Sequence, residues 1–264
     1  PEVIAALREG LDLGYDIGNH HFASAPRADL AVALSELAPF ADARGVFSSG
    51  GGEAVDVAIK SARHATRHRR IVSVKGAYHG HTGLALAAGH ERFSEPFHSE
   101  GDPSSFTRVP FNDLEAVASE LREGDVAAVI LEPIPATAGF VMPNDGYLPG
   151  VRALCDGADA VLIADEVQTG LGRTGPLWAV QSFGVTPDIV VTAKGLSGGL
   201  YPIAATLLNE RCGGWLRTNS HGHVSTFGGA ELGCRVALKV LEITTRPATR
   251  ANVERTAEAM ARGL

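Results

Sequence analysis

The chain has 264 residues, a formal net charge of −7 and a 45% hydrophobic composition, enough for one large domain with a substantial core. Acidic and basic residues are mixed with no basic tract, which argues against nucleic acid as a partner; no apolar run approaches the roughly 20 residues of a membrane span, and no charged-then-apolar leader opens the sequence. Cys155, Cys212 and Cys234 fall in no paired or metal-like spacing and read as buried small hydrophobes of a reducing compartment, so a soluble cytoplasmic protein is expected.

Pro1 to Arg8 reads as a helix with proline at its first position, and Pro26 to Pro39 as a second helix. Gly45 to Ser48 is a short strand that enters the loop SSGGGEA. Its glycines let the backbone come close to a ligand, and the helix opening near Glu53 points free N–H groups and a positive dipole end at it. That combination is an anion cradle, although a plain helix-start loop has the same pattern. Arg70 to Val74 is the next strand and leads into GAYHGHTG, where Tyr78 is placed to stack on a flat ring or simply to pack. His79, His81 and His90 lie close in sequence, but in a Gly-bounded loop without an accompanying carboxylate, so a metal site is not expected.

His90 to Phe111 reads as irregular and polar, a mobile or substrate-facing loop. A helix follows from Asn112 to Glu123, capped by Asn112 and closed by Gly124. Ala127 to Leu131 is a strand ending in Glu132-Pro133, and Tyr147 to Cys155 a helix. Two further apolar runs, Val161 to Ala164 and Ile189 to Ala193, are short, β-branched and bounded by turn signals, as buried strands are. Each delivers one charged residue at its C-terminal end: Asp165 after the first, Lys194 after the second. In open α/β sheets that edge is where ligands sit, so the two groups face one crevice. Leu200 to Leu208 reads as a strand, Gly222 to Gly229 as a loop and Glu231 to Ile243 as a helix with Leu232, Val236, Val240 and Ile243 on one face. Thr245 to Pro247 breaks the chain before a last helix, Arg250 to Arg262.

Two motifs suggest other chemistries. Gly170 to Gly175 fits G-x-G-x-x-G, but Asp165 to Thr169 separate it from the strand and Pro176 follows at once, so the strand–glycine–helix context of a dinucleotide site is missing. Gly195 to Gly199 fits the G-x-S-x-G of serine hydrolases, with Glu210 and His221 or His223 downstream. Gly198, Gly199 and Pro202 oppose the helix that such an elbow requires.

The segments IADEVQTGLGRTG, PDIVVTAKGLSGGLYPIAA and HVSTFGGAELGCRVALKVLE, preceded by FSSGGGEAVDVAIKSAR, KGAYHGHTG and VILEPIPATAGF, resemble the class III pyridoxal phosphate aminotransferases, the ornithine and acetylornithine aminotransferase group. The six blocks cover nearly the whole chain in the order the family shows. The resemblance implies the fold type I large domain, a three-layer α/β/α arrangement with a mostly parallel sheet. It further implies that residues 1–264 are the cofactor-binding domain, the family's N-terminal segment and smaller C-terminal domain falling outside this sequence.

For the site, the resemblance implies a pyridoxal 5′-phosphate cofactor held as a Schiff base by Lys194, which is also the general base, with Asp165 keeping the pyridine nitrogen protonated so that the ring acts as an electron sink. It places the phosphate on the N–H groups of Gly51 and Gly52, Tyr78 over one ring face with His79 beside it, Gln168 near the phenolic oxygen and Glu132 in support. Where the family has a serine, Gly50 stands here, so a side-chain phosphate contact is missing or taken over by Ser49. Thr226 would reach the phosphate of a neighbouring subunit's cofactor, which implies a homodimer with shared active sites. The implied reaction is transamination from an ω-amine or a diamino acid such as ornithine or acetylornithine to a 2-oxo acid. An aminomutase on the same scaffold and a catalytically incomplete fragment are the alternatives. Thr137 departs from the family, whose aminotransferases for ornithine and related donors often carry at this position a glutamate that gates an arginine.

Overall fold

The structure, a computed structural model, describes residues 1–15, 23–102, 104–219 and 221–263. In chain order its strands are β1 (Arg44–Ser48), β2 (Arg70–Val74), β3 (Phe106–Val109), β4 (Val126–Leu131), β5 (Val161–Asp165), β6 (Ile189–Thr192) and β7 (Ala204–Leu208). They form one sheet in the order β1-β7-β6-β5-β4-β2-β3. Only β7 runs against its neighbours; the pairs from β6 through β3 are parallel. The helices are α1 (Glu2–Asp12), α2 (Ala25–Leu37), α3 (Gly51–Thr66), α4 (Gly83–Ala88), α5 (Glu91–Ser94), α6 (Leu114–Leu121), α7 (Tyr147–Gly157), α8 (Glu210–Gly213), α9 (Glu231–Thr245) and α10 (Pro247–Gly263).

A parallel sheet must hide both faces, and the central strands are accordingly buried at every position rather than at alternate ones. All five residues of β5 and all six of β4 are buried. Along β5, Leu162 and Ala164 enter one core with Leu30 and Leu34 of α2, Val151 of α7 and Ala237 of α9. Val161 and Ile163 enter the opposite core with Val55, Ala58 and Ile59 of α3 and Ala85 of α4. Helices therefore cover both faces, and the architecture is the expected three-layer α/β/α domain.

Several boundaries differ from the sequence reading. The segment from His90 to Phe111 is not irregular throughout: it holds α5, a 3-10 turn at Glu95–Phe97 and the edge strand β3. With only Phe106 and Val109 buried, β3 is too short for periodicity to reveal, and its pairing with β2 creates it. Asp113, not Asn112, caps α6: its Oδ1 accepts the Ala116 N–H at 2.9 Å, while Asn112 has φ +65°. Ser24 caps α2, Pro1 precedes α1 rather than starting it, and α1 runs on to Asp12. The last strand begins at Ala204, not Leu200, and α10 already begins at Pro247. No helix among the described residues is long and apolar enough to cross a membrane.

Candidate active site

Neighbouring strands β5 and β6 pair Asp165 with Val191, so Asp165 ends its strand only three positions short of where Lys194 follows the other. Lys194 adopts φ +38°, uncommon for a residue with a side chain; the chain turns there into a 3-10 turn, Lys194–Ser197, and leaves the sheet at its C-terminal edge. The Lys194 Nζ donates to Gln168 Oε1 at 2.5 Å. Both open into a cleft of about 570 Å³.

The opposite wall of that cleft is the start of α3, which opens at Gly51 rather than near Glu53. Gly50 is the N-cap and no side chain caps the helix. The first intrahelical bond is donated by Ala54 to Gly50, leaving the Gly51 and Gly52 N–H groups without helical acceptors, as at any helix start. A Cβ on Gly52 would stand 2.9 Å from Thr82 Oγ1, and one on Gly80 would stand 2.6 Å from the Gly52 Cα. The two glycines thus allow the loop after β2 and the start of α3 to touch backbone to backbone. The Ser49 hydroxyl donates to Glu53 Oε2 at 2.8 Å, so its proton does not point at the cradle.

The floor is a buried polar cluster. His79 Nδ1 lies 2.8 Å from Asp165 Oδ2, and Asp165 Oδ1 accepts the Val167 N–H at 3.1 Å. Asp165 is 2% exposed and His79 3%, and the His79 Nε2 is buried with no hydrogen-bond partner among the described residues. Glu132 accepts the N–H groups of Tyr78 at 3.1 Å and Ala136 at 3.3 Å. Burial first, and the Asp165 charge second, push its carboxyl above the ordinary range. Tyr78 is braced edge-on by Phe93, with ring centroids 5.5 Å apart, and by His81 at 5.3 Å.

Eight of the nine residues proposed from sequence therefore line one cleft: Gly51, Gly52, Tyr78, His79, Glu132, Asp165, Gln168 and Lys194. Thr226, the ninth, is exposed and does not line it. The glycine motif 170–175 starts no helix, and the Ser197 hydroxyl donates to the Lys194 carbonyl at 2.7 Å rather than to a histidine. Sequence reasoning missed Phe93, hidden in the segment read as irregular, and Glu166. The latter is 1% exposed; its carboxylate accepts the Val180 N–H at 2.9 Å and the Thr169 hydroxyl at 2.5 Å. It fixes the loop that carries Gln168, and burial pushes its carboxyl upward.

The sequence model of the class-III aminotransferases matches residues 1–264. The chain belongs to that family. An uncharacterized aminotransferase of Archaeoglobus fulgidus is 52% identical over 98% of this chain and 60% of its own length. A putrescine aminotransferase of Pectobacterium atrosepticum is 38% identical over 93% of this chain and 54% of its own. Among solved structures, the taurine:2-oxoglutarate aminotransferase of Bifidobacterium kashiwanohense, in complex with PLP and glutamate, superposes with a TM-score of 0.88 at 28% identity, over 99% of this chain and 64% of that one. The ornithine aminotransferase of Toxoplasma gondii superposes with a TM-score of 0.82 at 29% identity, over 92% of this chain and 58% of that one. The chain spans about three fifths of the length of these class III relatives. Members of the family are pyridoxal phosphate-dependent.

Proposed function

We propose that the protein is a pyridoxal phosphate-dependent aminotransferase that moves the amino group of a primary amine, an ω-amine or a diamino acid such as ornithine or acetylornithine, to a 2-oxo acid. One observation carries this reading: an amine, a carboxylate and the uncapped start of a 16-residue helix converge on a single cleft from adjacent parts of one sheet edge. Relatives named for acetylornithine, putrescine and ornithine support the donor class.

The donor set fits the cofactor. The free N–H groups of Gly51 and Gly52 at the positive end of α3 suit a phosphate, and no neighbour stands within 4 Å of where a Gly50 Cβ would be. Asp165 suits a protonated ring nitrogen, Tyr78 one ring face and Gln168 an oxygen substituent. When bound, the cofactor supplies an aldehyde carbon that takes up an amine and a ring that draws electrons from the adjacent C–H bond.

Lys194 carries the reacting amine. Its side chain is solvent-accessible within the cleft, so the Nζ is free to bond the cofactor, to yield that bond to an incoming amine and then to move a proton between two carbons. Gln168 orients the Nζ through the 2.5 Å contact. Asp165 is held from behind at both oxygens by His79 and the Val167 N–H, fixing its direction before any ligand arrives.

The remaining assignments belong to the same proposal. Residues 1–264 act as the cofactor-binding domain, and the protein works as a homodimer in which Thr226 serves the partner's site. The exposed Val224 and Phe227 that flank Thr226 support a surface covered by another chain. Three buried free cysteines suit the cytoplasm.

The test is a panel of ω-amines and diamino acids with 2-oxoglutarate or pyruvate as acceptor, run alongside Lys194→Ala. Amino transfer that disappears in the variant, together with loss of its visible cofactor absorbance, is expected. Wild-type turnover in Lys194→Ala overturns the reading.

A further inference from the structure

One carboxylate beside the anion cradle gathers contacts from neighbouring Ser49 and from a segment 170 positions away. Glu53 is the third residue of α3, next to the Gly51 and Gly52 N–H groups. Its Oε2 accepts the backbone N–H and the hydroxyl of Ser49, each at 2.8 Å. Its Oε1 lies 3.2 Å from His223 Nε2, and the Ser225 hydroxyl stands 3.4 Å from the Ser49 hydroxyl that bonds Oε2. His223 and Ser225 belong to the segment 222–229, which is joined to α3 a second time through Lys60. The Lys60 Nζ donates to the Gly222 carbonyl at 2.9 Å and stands 3.4 Å from His223 Nδ1.

An acidic side chain in the first turn of a helix is drawn to the free N–H groups there and competes with any outside anion for them. In this structure the Glu53 carboxylate is turned toward the segment instead. Burial acts to raise its carboxyl, but the nearby Ser225 hydroxyl and the two Ser49 donors outweigh that and hold it below the ordinary range, so it is charged at neutral pH. Burial, and then the Lys60 charge, hold His223 below its ordinary value. The neutral ring donates from Nε2 to Glu53 and accepts from Lys60 at Nδ1.

We propose that Glu53 is a positioning residue that couples the segment 222–229 to the phosphate cradle. With the segment docked, His223, Ser225 and Ser49 keep the carboxylate off the Gly51 and Gly52 N–H groups and leave them to an anion. With the segment displaced, the carboxylate caps its own helix and excludes that anion. The proposal rests on the cradle being the phosphate site. Because the segment also carries Thr226, the same link ties the filling of one cradle to the segment offered to the partner's site.

The affinities of the purified protein for pyridoxal 5′-phosphate and for pyridoxal separate the cradle from the rest of the cleft. In a His223→Phe, Ser225→Ala double variant we expect pyridoxal 5′-phosphate to bind about tenfold more weakly, the scale of a carboxylate at a helix start, with pyridoxal unchanged. Adding Glu53→Gln is expected to restore the phosphate ligand to within about threefold of wild type, since an uncharged side chain competes poorly there. A general folding defect would weaken both ligands and would not be rescued, and thermal melts of each variant identify it. Full phosphate affinity in the double variant, or no rescue by Glu53→Gln, overturns the coupling alone. Wild-type protein that binds both ligands equally overturns the cradle reading and the coupling with it.

Discussion

His79 Nδ1 lies 2.8 Å from Asp165 Oδ2 in a pocket where both residues are almost fully buried. The imidazole supports one carboxylate oxygen, and the Val167 N–H at 3.1 Å supports the other. Asp165→Asn removes the charge that keeps a ring nitrogen protonated and is expected to lower kcat/KM at least about a hundredfold, or ~2.7 kcal/mol. His79→Phe leaves the carboxylate charged but unsupported, for an expected loss of about tenfold, while His79→Asn restores a donor and recovers part of it. Steady-state kinetics of the three variants check the order, and an unchanged rate in Asp165→Asn removes it from its role.

Glu132 supplies a pH dependence of stability. Its folded carboxyl titrates above the ordinary value of 4.5, because burial and the Asp165 charge disfavour ionisation. A carboxyl raised on folding contributes stability that is complete below its unfolded pKa and is lost as pH rises through its folded pKa. Glu132→Gln cannot ionise and lacks that loss. Its melting temperature relative to wild type is therefore expected to rise as the pH is raised above the ordinary value of 4.5. Thermal unfolding across that range measures it, and a flat difference means that Glu132 is not destabilised by its charge.

Much of the site was legible because buried parallel strands leave a plain sequence mark. Val161 to Ala164 and Ile189 to Val191 are apolar at every position, and Asp165 and Lys194 follow them at the same sheet edge, so the meeting of the two follows from topology alone. The glycines of SSGGGEA likewise announced the start of α3. What local sequence could not disclose are the features made by long-range contact. Strand β3 exists through its pairing with β2, Phe93 reaches the cleft by packing on Tyr78, and the His223 ring at Glu53 comes from 170 positions away. Glu166 was overlooked because it sits beside Asp165, and only burial separates a structural carboxylate from a chemical one.

Gly80 tests how tightly the cradle is built. It has φ +122°, and an added Cβ would stand 2.6 Å from the Gly52 Cα, a backbone atom that cannot turn aside. Gly80→Ala is thus expected to cost about 2 kcal/mol or more in denaturant unfolding, from strain and overpacking together. It should also weaken pyridoxal 5′-phosphate binding, since the start of α3 has to move. Wild-type values of both quantities mean that the two backbones do not need their close approach.

Shared sites make a prediction that no single protomer can meet. If Thr226 serves the partner, Lys194→Ala and Thr226→Ala lie in one site of a mixed dimer and leave the other site intact. Refolding the two inactive variants together is expected to restore about a quarter of wild-type activity at equal input, given random pairing of subunits. Proven heterodimers without activity place Thr226 in its own protomer's chemistry or in none.

Thr137 concerns the choice of donor. It lines the cleft together with Ala136, Tyr78, Phe93, Pro202 and Ile203. A carboxylate introduced there would repel a donor whose far end is a carboxylate and attract one whose far end is an ammonium. Thr137→Glu is therefore expected to shift the ratio of kcat/KM values toward diamines, relative to amines bearing a carboxylate, by about fivefold or more, close to 1 kcal/mol. The direction matters as much as the size, because a general loss of activity would lower both values and leave the ratio alone. A ratio that moves by less than about twofold shows that the far end of the donor does not face residue 137.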